Sequence, residues 1–77
     1  MQLEILSATG TIYKGDIELV QLPGSNGSFE VLNNHSPIIS SLKQGKIKII
    51  DKNKETKYID INRGIIEVLD NKIIILI

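Results

Sequence analysis

The chain has no cysteine and no tryptophan, only one alanine, and no net charge. Without cysteine there is no disulfide framework, no thiol nucleophile and no thiolate-bound zinc. Nine lysines and arginines balance nine aspartates and glutamates, so the basic excess of a general nucleic-acid binder is missing. The one histidine, His35, cannot alone make a His-rich metal site. No apolar run approaches the roughly 18 residues of a membrane span, and no charged segment precedes an apolar stretch at the start. The chain is 77 residues long, which leaves room for one domain over residues 1–77. A domain of this size buries only about 60% of the surface its unfolded chain exposes. Its stability is therefore expected to be marginal, and a partner covering apolar surface would add to it.

What the sequence has in quantity is isoleucine, sixteen residues against the single Ala8. β-Branched side chains lose rotamer freedom in helices and pack well on a pleated surface. Glycines at 10, 15, 24, 27, 45 and 64, with Pro23 and Pro37, cut the chain into short segments. Strands are expected at 3–8, 11–14, 17–22, 29–32, 37–42, 46–51, 56–62, 65–69 and 72–77. Lys46-Ile47-Lys48-Ile49 and Tyr58-Ile59-Asp60-Ile61 alternate with the period of a strand that has one wet and one dry face. Asp70-Asn71 reads as a tight hairpin turn, because both residues tolerate positive φ. Connections this short favour antiparallel pairing. The expected fold is all-β, a compact antiparallel β-sandwich of about nine or ten short strands. The run Ile73-Ile74-Ile75-Leu76-Ile77 must point apolar side chains to both faces. Either both faces are covered within the sandwich, or the outer one meets another protein.

Signals for chemistry are weak. His35 lies near Ser36, Ser40 and Ser41, but no acid or oxyanion motif accompanies it, so a Ser-His hydrolase is not expected. The carboxylates are spread evenly, with no DxDxDG or HExxH spacing. Gly24-Ser25-Asn26-Gly27 has the GxxG form of a KH-domain loop, which needs helices on both sides; strands flank it here, and a two-glycine turn explains it better. Tyr13, Phe29 and Tyr58 are too few to make a stacking groove for single strands. A more serious alternative is a biotinyl or lipoyl carrier domain, also all-β and of similar length. Lys52 in Asp51-Lys52-Asn53-Lys54 would be its modified lysine, although the flanking residues typical of such domains are absent.

The segment from Leu22 to Gly45, Leu-Pro-Gly-Ser-Asn-Gly-Ser-Phe-Glu-Val-Leu-Asn-Asn-His-Ser-Pro-Ile-Ile-Ser-Ser-Leu-Lys-Gln-Gly, is more specific. It resembles the signature of the ε subunit of F-type ATP synthases: a Pro-Gly-x-x-Gly turn, a hydrophobic strand, a His-Ala/Ser-Pro step, two apolar residues and a closing Leu-Lys-x-Gly. Leu3 to Ser7 with Tyr13-Lys14-Gly15 resembles the opening strands, Arg63 to Val68 the Gly-x-x-Glu-Val strand, and Asn71 to Leu76 the last strand. Glu30 stands where that family usually has glycine, and Asn33 where it usually has proline. Many ε subunits continue into a C-terminal helical hairpin. The resemblance covers the β-sandwich part only, and a naturally short ε without helix-mediated inhibition is expected, rather than an excised fragment.

This resemblance implies a non-catalytic rotor subunit of the central stalk, without a cofactor, that binds the γ subunit and the c-ring and couples proton flow to ATP synthesis. It would be part of a complex with the α, β and δ subunits and would not bind nucleic acid. It would sit at the cytoplasmic face of a bacterial plasma membrane, held there only through partners. Residue by residue, Gly24, Ser25, Asn26, Gly27 and Ser28 match the loop that approaches the c-ring. Ser7, His35 and Ser40 match positions facing γ, and Ile38 and Ile39 are candidates for the apolar part of that contact, with at least one of the two expected in the core. The alternative for each polar residue is an ordinary surface position bonded to nearby backbone.

Overall fold

The computed structural model describes all residues, 1–77, and contains eight strands and no helix. They are β1 (Gln2–Ser7), β2 (Gly10–Gly24), β3 (Gly27–Leu32), β4 (Ile38–Leu42), β5 (Gly45–Asp51), β6 (Thr56–Ile61), β7 (Gly64–Leu69) and β8 (Lys72–Leu76). Hydrogen bonding links them in the order β1-β8-β7-β4-β2-β5-β6, with β3 on β2 and β1 also paired to β2. The all-β expectation holds, with eight strands in place of nine or ten.

The difference lies at Gly15-Asp16, where a break between two strands was expected. There the chain stays extended, and 10–24 forms one strand of 15 residues. Gly15 is not among the residues with positive φ, so nothing in its backbone ends the ladder. β2 instead carries two bulges. Ile12 is the extra residue opposite Ile5/Leu6, and Glu18 is the extra residue opposite Ile50/Asp51. A bulge bends a strand and increases its twist. The first half of β2 pairs with β1 and the second half with β5 and β3, so this bent strand joins two layers.

One layer is β1-β8-β7-β4, and the other is β3-β2-β5-β6. Alternation sends Leu3, Ile5, Ile66, Val68, Ile73 and Ile75 inward from the first layer, and Val20, Leu22, Val31, Ile47, Ile49 and Ile61 from the second; all belong to one buried cluster of 15 residues. β1 and β8 pair in parallel, Leu3 with Ile73 and Ile5 with Ile75, unlike the other pairs. A parallel pair needs a long connection, and here nearly the whole chain serves as that connection. The Asp70-Asn71 turn forms as expected, with φ of 50° and 60°.

The Asp16 carboxylate accepts from the Met1 ammonium at 3.2 Å and pairs with Lys52 Nζ at 2.9 Å. Its hydrogen bond to Lys52, then that to the ammonium, hold its pKa below the ordinary 3.8. A carboxylate whose pKa is depressed on folding adds stability above its unfolded value, and loses it as pH falls through the folded one. The melting temperature is therefore expected to fall below about pH 4, and Asp16→Asn should flatten that part of the profile. Parallel acid melting curves for the two proteins would exclude this role.

Candidate interaction surfaces

The outer face of the β1-β8-β7-β4 layer follows from the registers. Leu6 pairs with Leu76, Leu76 with Ile65, and Ile65 with Ser41, which makes one outward row across four strands. The next row is Glu4, Ile74, Glu67 and Ile39, and the third includes Gln2, Lys72 and Leu69. Ile39 is 74% exposed, and Ile65, Leu69 and Leu76 are each 51% exposed. Two shallow grooves run over this face. One, of about 430 Å³, lies between Ser41, Ile65, Leu76 and Ile77; the other, of about 370 Å³, lies between Pro37, Ile39, Glu67 and Leu69. Clustered exposed aliphatic side chains of this kind mark contact sites. β8 is covered on its inner face by the core, while on its outer face Leu76 is exposed and Ile74 half-buried.

At one end of the molecule, Gly24 and Gly27 pair across the β2–β3 hairpin, with Ser25-Asn26 as the connection. Gly24 is buried. A Cβ there would lie 2.6 Å from the Gly27 carbonyl oxygen and 2.7 Å from the Phe29 ring, so the turn is closed too tightly for a side chain. Gly27 has φ of 128°, which favours glycine. Ser25, Asn26, Gly27 and Ser28 are exposed. The Ser25 hydroxyl lies 2.7 Å from that of Ser41, its amide donates to the Ser41 carbonyl at 3.1 Å, and Lys43 N–H donates to Pro23 O at 2.9 Å.

The remaining predicted site residues do not form one cluster. Ser7 ends β1, and its hydroxyl lies 3.0 Å from Thr9 Oγ1 and donates to Gly10 O at 3.3 Å. Ser7 follows Leu6, which shares a row with Ser41. His35 is half-buried at the opposite end, before β4, with Nδ1 2.7 Å from Ser36 O. On β4, Ile38 packs against the core and Ile39 points outward. Ser40 is half-buried on the side of Ile38 and Leu42 and donates weakly to Ser41 O at 3.4 Å. Ile65, Leu69, Leu76 and Ser41 were not singled out as site residues. The apolar pattern of 65–69 and 73–77 carries a signal for the first three; none exists for Ser41, which meets Ser25 only through the fold.

Lys52 is not poised as a free arm. Its pairing with Asp16 raises its pKa, first through the hydrogen bond and then through the charge. Lys54 is likewise bound to Glu18, at 2.7 Å. These bonds tie the β5–β6 loop to β2 and do not favour the carrier reading.

The family model described as the ATP synthase delta/epsilon chain beta-sandwich domain matches residues 1–77. The chain belongs to this family. An ATP synthase epsilon chain of Campylobacter curvus is 43% identical over 76 residues, covering 99% of this chain and 59% of that protein. The epsilon chain of Sulfurimonas denitrificans is 42% identical over 77 residues, again covering 59% of its own length. The chain thus spans about three-fifths of these relatives. Its fold is that of a chain in the Euglena gracilis mitochondrial ATP synthase with its c-ring, with a TM-score of 0.90 at 17% identity over 96% of this chain and 48% of that one. A chain of the Tetrahymena thermophila mitochondrial ATP synthase central stalk and c-ring superposes with a TM-score of 0.81 at 18% identity, over 99% of this chain and 61% of that one. This delta/epsilon-type sandwich contains no helix long and apolar enough to cross a membrane.

Proposed function

We propose that the chain is a non-catalytic part of the central stalk of a rotary ATP synthase, gripping γ on one face and the c-ring at one end. The observation that carries this reading is the outer face of β1-β8-β7-β4, with Ile39, Ile65, Leu69 and Leu76 exposed on a family member whose own core leaves them uncovered. γ would lie on this face, where Ile39 is the candidate most fully available. The exposed Asn26 and Ser28 would meet the polar loops of the c-ring, and Gly27 allows close backbone approach.

Transmission of torque asks for stiffness more than for acid–base chemistry. A close-packed interior resists deformation, and here isoleucines from both layers fill it. The ring and γ would hold the chain at the cytoplasmic face of a bacterial plasma membrane. Zero net charge suits adhesion to protein surfaces without long-range steering to polyanions.

The test is direct. Mixed with the γ subunit of the same organism, the chain is expected to co-elute and to bind with a Kd of about 1 µM or tighter, as interfaces of ordinary size do. The γ complex should in turn bind purified c-ring. No association with γ at tens of micromolar would remove the reading.

A further inference from the structure

Between the two proposed contact regions runs β4. Its outward Ile39 belongs to the apolar face, and its next outward residue, Ser41, reaches the turn at 24–28. Gly24 and Leu42 are the only register pair between β2 and β4. Without that junction the end of the β2–β3 hairpin would be a two-stranded ribbon projecting from the sandwich, and isolated hairpins are marginal in water. The junction is reinforced at the side-chain level by one bond alone, Ser25 Oγ to Ser41 Oγ at 2.7 Å.

We propose that Ser41 is a positioning residue that clamps the Gly24–Ser28 turn in the orientation needed to dock on the c-ring. The inference rests on the c-ring reading of that turn. It also divides the turn by role. The Ser25 hydroxyl is turned back onto β4 and is spent in the clamp, while Asn26 and Ser28 are left to face outward. Both partners of the clamp are exposed, so the bond adds little to global stability. Its effect lies in preorganisation: a turn already held in its bound orientation loses less freedom on docking. The same bond ties the turn to the strand that carries Ile39, so a displacement at either contact region is passed along one extended segment.

The experiment uses two nearly isosteric variants of the full chain, bound to γ, with immobilised c-ring as the probe. S41T keeps the hydroxyl and S41V removes it; both residues favour strands. S41T should bind the c-ring like the parent, and S41V roughly tenfold more weakly, each compared as the preformed γ complex and with melting temperatures within a few degrees. S25A should lose as much as S41V, and the S25A/S41V double variant no more than either alone, because all three break the same bond. Equal c-ring binding by S41V and the parent overturns the clamp while leaving the c-ring reading intact. A further loss when S25A is added to S41V would make Ser25 a direct contact and overturns the clamp as well. If S41V unfolds, S25A against the parent carries the same comparison from the other side of the bond. If the parent γ complex does not bind the c-ring, both the reading and the inference fall.

Discussion

Ile75→Ala is expected to lower the melting temperature by about 10–30 °C, enough to leave much of the protein unfolded at growth temperature. Ile75 is fully buried, with Ile5 beside it on β1 and Ile66 beside it on β7, both also fully buried. Removing a buried isoleucine side chain down to Cβ costs about 2–5 kcal/mol, because the site collapses only in part. A chain of 77 residues has roughly 4–12 kcal/mol in total to lose. For a domain of this size each kilocalorie shifts the midpoint by about 4–8 °C. Leu76→Ala, one residue on and facing outward, should cost under about 1 kcal/mol. Circular dichroism melts of the two variants make the comparison. Equal losses would mean that the alternation along β8 is wrong.

Ile65→Glu should weaken γ binding by at least about 100-fold, while moving the melting temperature by only a few degrees. Ile65 is half exposed and sits in the outward row between Leu76 and Ser41. In the free chain a carboxylate there stays in water. Under a partner it would be desolvated, a cost that only a matching cation could offset. It would also add to Glu67, two residues along on the same face. Tyr58→Glu is the control, since Tyr58 is 60% exposed on the other layer. Isothermal titration with γ should show the first variant failing and the second binding normally. If Tyr58→Glu fails equally, the face assigned to γ is the wrong one.

Much of the candidate site could be read along the chain, and the rest could not. The turn at 24–27 announces itself through two glycines and forms where expected. The apolar run of the last strand left open whether its outer face is covered, and the fold leaves Leu76 exposed there with Ile74 half-buried beside it. Ser7, His35 and Ser40 share one expected γ-facing side through the family resemblance, yet Ser7 and His35 lie at different ends of the layer, because a match along the chain says nothing about distance between strands. Ser41 gives no signal at all: its partner Ser25 is 16 residues away.

By itself the sequence determined the all-β class, the wet-and-dry alternation along 46–49 and 58–61, and the hairpin at Asp70-Asn71. These depend on side-chain alternation and on turn chemistry, which act over two to four neighbouring residues. Only the tertiary structure decided that Gly15 would lie inside a long bent strand, that β1 and β8 would run in parallel, and that Ser41 would hold the hairpin end. Those outcomes join residues up to about 70 positions apart. They are set by burying one shared core from two layers, a balance over the whole chain that no short window of residues contains.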